Sequence, residues 1–279
     1  MELVRAESLE QVDGGIPMWG GTEVVPLLRD GILTGDRLVD IRGVVPRGVQ
    51  GNRIGAGTTL AELEADSQIP GALREACRLA ASPQLRNMGS IGGNLLQSTR
   101  CWYWRMKYPC RLHRVADGWG DRCHAREGEH REHAIFANDF CASAHPSDIA
   151  AVLLALDARL HTTRRELPIG ELYRLPDDAD RDIVTLERGE LILELELPTV
   201  EASVYLKAMD RKRWAFPQVG VAAARVGGVT RIALAGVAPI PWLLTGGVEA
   251  LDTATPLPRT AWKVDVARAL VHRAVDRLL

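Results

Sequence analysis

Short apolar runs and helical stripes alternate along the first hundred residues. Residues 16–19 are a brief apolar run ending in Gly20-Gly21-Thr22-Glu23. Behind it, Val24, Val25, Leu27, Leu28 and Ile32 recur at helical intervals as far as Gly35. Residues 38–41 and 53–57 read as two more short strands, so the chain opens on a small α/β unit. Residues 59–86 have a helical pattern, with Thr59 and Glu62 spaced as a capping box and a break at Pro70-Gly71 before an alanine-rich helix over 72–81. A second glycine-rich turn, residues 87–94, follows.

From Cys101 to Cys141 no period survives. This stretch is polar, aromatic and rich in Cys and His, with no core-forming stripe of its own. An irregular segment that long inside a compact chain is expected to carry function. Regular structure resumes in a helix over 149–157. Residues 190–198 then alternate, with Leu193, Leu195 and Leu197 opposing Glu194 and Glu196, as a half-buried strand does. Two strands over 219–225 and 229–237 flank a Gly227-Gly228 turn. From Ala261 onward apolar residues recur every three or four positions in an amphipathic helix. Residues 176–180 are the best linker candidate.

Composition narrows the function classes. The chain has 279 residues, 46% hydrophobic and 25% charged, with 34 Lys+Arg against 36 Asp+Glu. Those are the proportions of an ordinary globular chain of one large or two to three smaller domains. Near-neutral charge is not the footprint of a nucleic-acid binder, and no apolar run is long enough to span a bilayer. The N-terminus lacks an apolar signal core, so a cytoplasmic location is expected unless a partner carries an export signal.

Cysteine usage changes the picture most. Four of the five cysteines, Cys101, Cys110, Cys123 and Cys141, are spaced C-x8-C-x12-C-x17-C, with His113, His124, His130, His133 and His145 in or beside that stretch. Clustered soft ligands point to a metal or cluster. The absence of a CxxC knuckle suits a larger object, while the histidines suit zinc, and spacing alone leaves both open. The two glycine turns, Gly20-Gly21-Thr22 and Ser90-Ile-Gly92-Gly93-Asn94, match neither the GxGxxG nor the Walker pattern. Each alone is a tight turn; two together make a dinucleotide diphosphate plausible, because backbone N–H groups without a Cβ in the way can approach phosphate. Asp148 reads by itself as a helix-start residue and Lys207 as a strand-edge lysine.

WGGTEVVPLLRDG, ASPQLRNMGSIGGNLLQSTRC, HPSDIAAVLLALDA, GELILELELP and YLKAMDRKRWAF occur in this order over nearly the whole chain. Together they resemble the FAD-binding medium subunit of the molybdenum hydroxylases, the xanthine dehydrogenase and carbon monoxide dehydrogenase family. The Cys-rich insert resembles those of the 4-hydroxybenzoyl-CoA reductase and periplasmic aldehyde oxidoreductase medium subunits, and HREHAIFANDFCASAHPSD is most similar to the latter. In those inserts four cysteines hold a [4Fe-4S] cluster, which the resemblance assigns here to Cys101, Cys110, Cys123 and Cys141.

The resemblance implies an α+β, two-subdomain FAD-binding fold of the vanillyl-alcohol-oxidase type, then a small antiparallel sheet with helices. The expected boundaries are 1–52 and 53–166 for the subdomains, 101–141 for the insert and 167–279 for the C-terminal domain. FAD contacts carried over by position are Met18, Trp19, Gly20, Gly21, Thr22, Glu23 and Val24 on the first loop. Ser90, Gly92, Gly93, Asn94 and Gln97 follow on the second, with Asp148 at the flavin's polar chain, Ile192 by the ring and Lys207 at its polar edge. No residue is expected to act as a general acid or base. The implied partners are a large subunit with the molybdenum cofactor and a small subunit with [2Fe-2S] centres, in a heterotrimer or its dimer, plus an external electron acceptor. Two rivals are a reductive 4-hydroxybenzoyl-CoA type fed by ferredoxin and, from another class, a zinc-stabilised binding module without flavin.

Overall fold

The computed structural model describes residues 1–116, 118–211 and 214–278. The chain begins with β1 (Glu2–Arg5), β2 (Ile16–Met18), α1 (Val24–Arg29) and β3 (Arg37–Asp40). The three strands form a parallel sheet in the order β1-β3-β2. The helix expected to run to Gly35 stops earlier, because the chain turns at Gly31 with φ +64°. β4 (Val49–Gln50) and β5 (Arg53–Gly55) follow as a hairpin, then α2 (Leu60–Ala65), α3 (Gly71–Leu79), α4 (Pro83–Met88) and α5 (Ile91–Leu95). The Thr59–Glu62 capping box is present in full. The second glycine turn is itself partly helical, since Ser90 accepts a hydrogen bond from Gly93 N and starts α5 through the glycines.

The insert contains α6 (Trp102–Arg105), a small hairpin of β6 (Arg114–Val115) and β7 (Gly118–Trp119), and α7 (His124–Glu127). After it come α8 (Asp148–Ala155), β8 (Arg159–Thr162), β9 (Glu166–Pro168) and β10 (Ile192–Glu196). β10 lies between β5 and β8 in an antiparallel sheet ordered β4-β5-β10-β8-β9. The second sheet therefore crosses residue 166, and strand pairing changes only between Glu196 and Val200. The candidate linker at 176–180 is a turn inside this unit, closed by Asp177 N donating to Asp180 O at 2.9 Å.

The last sheet, β11 (Val200–Ala208), β12 (Val219–Val226), β13 (Val229–Ala235) and β14 (Trp242–Leu243), is antiparallel and sequential. β12 is buried along most of its length and built of Val, Gly and Ala because helices cover both of its faces. Ala222 and Ala224 point into the large core shared with α3 and α8, whereas Val219, Val221 and Ala223 point into a second core under α9 (Trp262–Asp276). Ile135 and Phe136 of the insert belong to that second core. Their amides both donate to Val237 O, at 2.8 and 3.0 Å, and Phe136 stacks on Trp242 with ring centres 5.1 Å apart. The insert is thus woven into the C-terminal unit. Among the described residues no helix is long and apolar enough to cross a membrane.

Candidate functional site

The two glycine turns, some seventy residues apart in sequence, meet in space. A Cβ added to Gly20 would lie 1.8 Å from Met88 O, and one on Gly89 would lie 3.6 Å from Thr22 Oγ1. Glycine is required at 20 by this backbone-to-backbone approach and at 21 by its φ of +71°. Beside the junction opens a cleft of about 340 Å³. Thr22, Glu23, Ser90, Gly93, Asn94, Gln97 and Asp148 all line it, so it gathers seven of the fifteen residues expected to bind FAD. Gly92 lies beneath, where a Cβ would press on Ala56, and Asn94 Oδ1 accepts from Ser147 Oγ at 2.5 Å, tying the second turn to the start of α8.

Other expected residues stand behind the cleft wall. Met18 ends β2, Gly20 and Gly21 form the turn backbone, Trp19 packs on Gly57, and Val24 begins α1. Ile192 is buried in the main core on β10 and does not line the cleft. Lys207 is enclosed as well, its side chain 0% exposed, and donates to Asp148 Oδ2 at 2.8 Å and Leu79 O at 3.3 Å. Tyr205 OH donates to the other Asp148 oxygen. Burial pushes the Asp148 carboxyl above its ordinary range, against the pull of Lys207 and then Tyr205.

Sequence reasoning missed Arg100. It lines the cleft, pairs with Glu23 at 2.7 Å, lies over the Phe216 ring at 5.1 Å, and has a buried Nε without a hydrogen-bond partner among the described residues. Glu23 also pairs with Arg105 of α6 at 2.6 Å, so one carboxylate joins the first glycine loop to the insert. The available signal was position: Arg100 falls directly between the second glycine loop and the first clustered cysteine.

The four clustered cysteines come together. Cys101, Cys110, Cys123 and Cys141 line one small cavity with Tyr103, Trp104, Phe140 and His124, and none forms a disulfide. Cys101 and Cys123 immediately precede α6 and α7, where the first amides of a helix lack intrahelical partners. Ala142 N donates to Cys123 Sγ at 3.5 Å, while Arg126 N and His113 N donate to the carbonyls of Cys123 and Cys110 at 3.1 and 2.8 Å. Backbone N–H groups close to the sulfurs of Cys101, Cys110 and Cys141 favour their anionic forms.

Burial raises the Cys101 thiol to about 11 and also raises Cys110. The Cys141 thiol pulls Cys123 down, and Cys141 itself is pushed up by that neighbour and by burial. His133 Nε2 lies 3.3 Å from Cys101 Sγ, and burial drives its ring down to about 4. Among the described residues, no three His, Cys, Asp or Glu side chains converge on one point as ligands of a single metal ion.

Comparison with known proteins agrees with this layout. A family model described as the FAD binding domain in molybdopterin dehydrogenase matches residues 5–200. The aldehyde oxidoreductase FAD-binding subunit PaoB of Escherichia coli K12 is 34% identical over 265 residues, covering 88% of this chain and 81% of that protein. Among solved structures, the Cu,Mo-CO dehydrogenase superposes with a TM-score of 0.69 at 21% identity, covering 100% of this chain and 97% of the other. Quinoline 2-oxidoreductase from Pseudomonas putida 86 gives 0.67 at 14% identity, covering 100% and 96%. At those identities the two structures speak for the fold. With the family model over residues 5–200 and PaoB matched along most of its length, the chain belongs to the FAD-binding subunits of the molybdenum hydroxylases.

Proposed function

We propose that this chain binds FAD in the glycine-loop cleft and a [4Fe-4S] cluster on Cys101, Cys110, Cys123 and Cys141. It would serve as the electron-transfer subunit of a molybdenum hydroxylase that oxidises an aldehyde or related substrate on a partner subunit. One observation carries the flavin half: two glycine turns in contact beside Arg100, whose buried Nε has no hydrogen-bond partner among the described residues. Buried donors are rarely left unmet, and a diphosphate oxygen is a natural acceptor for Arg100 Nε–H. The first turn gives the diphosphate close backbone approach, and Ser90, Asn94 and Gln97 add side-chain donors. Asp148, fixed by Tyr205 and Lys207, would hold the hydroxyls of the flavin's polar chain. Lys207 is committed to Asp148 and Leu79 O, so its influence on the cleft runs through Asp148.

The cluster half rests on donor chemistry. Four thiols line one cavity, those of Cys110 and Cys141 buried and those of Cys101 and Cys123 half-buried. A set of four thiolates without a CxxC knuckle suits a multi-iron object better than one zinc ion. When bound, flavin and cluster supply the redox chemistry, and the protein supplies binding, orientation and exclusion of water. Trp104, Tyr103 and Phe140 give the cavity its apolar wall.

The subunit reading is tested by purifying the tagged chain from its native cell and analysing the associated metal. Molybdenum and [2Fe-2S] centres are expected to accompany it, and an aldehyde should bleach the flavin band of the complex. A chain that purifies alone with neither would overturn the assignment. Flavin reduction by ferredoxin and not by substrate would instead select the reductive 4-hydroxybenzoyl-CoA type.

A further inference from the structure

We infer that His133 sets the reduction potential of the cluster by donating its Nε2–H to the Cys101 sulfur; this rests on the iron–sulfur reading above. The contact is 3.3 Å long, and the ring is held edge-on against Trp102 at a centroid distance of 4.9 Å. A metal-bound thiolate has no S–H to give, so the hydrogen in this contact must reside on Nε2. The other nitrogen points to the same tautomer. Among the described residues His133 Nδ1 is buried without a partner, and a hydrogen placed there would be an unmet buried donor.

The neighbouring His130 cannot play this part. Its Nδ1 faces the carbonyls of Ala125 and Gly128, and its Nε2 accepts from Arg259 N, so both nitrogens are used in tying the insert to the C-terminal unit. Cys123 Sγ accepts from Ala142 N at 3.5 Å, and Ser143 Oγ lies 3.3 Å from Cys141 Sγ. Among the described residues, Cys101 is the one clustered cysteine that meets an imidazole nitrogen.

Cys101 is also the ligand on the flavin side. A small cavity lined by Cys101, Trp102 and His133 shares Arg100, Pro146 and Phe216 with the glycine-loop cleft. Adding an electron to a thiolate-bound cluster adds negative charge that delocalises onto sulfur. An N–H aimed at that sulfur stabilises the reduced form and raises the potential. Placed at Cys101, the device acts on the ligand whose chain neighbour, Arg100, lines the flavin cleft.

The test is a redox titration of the cluster by EPR in the purified holoprotein, wild type against His133→Leu and His133→Gln, with iron and sulfide quantified on each sample. His133→Leu is expected to lower the one-electron reduction equilibrium about tenfold, which is about 59 mV. His133→Gln keeps an amide N–H in reach and should stay within about threefold of wild type, the residual reflecting a weaker donor. An unmoved potential in His133→Leu with full iron, or equal shifts in both variants, would overturn the inference and leave the cluster reading intact. A wild type without iron would overturn both. If His133→Leu does not retain iron, pulsed EPR of the reduced wild type labelled with ring-15N histidine decides. A nitrogen coupling lost in His133→Gln supports the inference, and its absence from wild type refutes it.

Discussion

Replacing Asp148 by Asn keeps the shape of the side chain and removes the anion against which Lys207 is buried. The lysine side chain is 0% exposed and the carboxylate 4%, so water cannot take over the role of partner. Breaking a buried pair in this way costs about 3–5 kcal/mol. Lys207→Met leaves the carboxylate with Tyr205 alone and should cost a comparable amount, limited by proton uptake on a group that burial already pushes upward. The double variant removes both charges and should lie within about 1 kcal/mol of wild type, because the pair gains little over a neutral, well-packed replacement.

Urea unfolding of all four proteins at two fixed FAD concentrations measures this and separates the binding contribution by linkage. A cost below about 1 kcal/mol for Asp148→Asn, or a double variant as unstable as the sum of the singles, would refute the reasoning.

Gly20→Ala would set a Cβ 1.8 Å from Met88 O and must drive the two glycine turns apart. FAD affinity read by flavin fluorescence should fall at least about tenfold, with about 1–3 kcal/mol of overpacking strain, and a Kd within twofold of wild type would contradict the cleft assignment. Lys263, fully buried and donating to Glu132 O and Gly236 O, is pushed down to about 7 by burial. Its unfolded form binds the extra proton between about pH 7 and 10.4, so it makes stability rise with pH across that window, and Lys263→Met should flatten that rise in urea titrations. Cys110→Ser should lower Tm by at least about 4 °C, at 2–4 °C per kcal/mol, because the insert supplies Ile135 and Phe136 to the core under α9. An unchanged melt followed at Trp242 would mean that the insert holds its place without metal.

Local signals were legible in the sequence. Thr59 and Glu62 form the box their spacing predicts, Gly227 and Gly228 both take positive φ in the β12–β13 turn, and the amphipathic tail is α9. Long-range pairing was not. β10 joins β5 across some 140 residues, and nothing in the alternation of its leucines names that partner, so the second sheet runs past the boundary at 166 that the resemblance implies. The GGN turn hid a short helix, since glycine's poor propensity is overridden by the Ser90 cap. Ile135 and Phe136 looked like two apolar residues in an irregular stretch until β14 and α9 gave them a surface to cover. Arg100 carried no motif, and only folding revealed its unmet Nε between the two candidate sites.

An anaerobic visible spectrum of the purified protein, with FAD, iron, sulfide and zinc quantified on the same sample, tests for a flavin cleft and a cluster cavity in one chain. About one FAD and about four iron per chain are expected, with a broad sulfur-to-iron absorbance under the flavin bands. One zinc, no iron and no flavin would contradict both assignments.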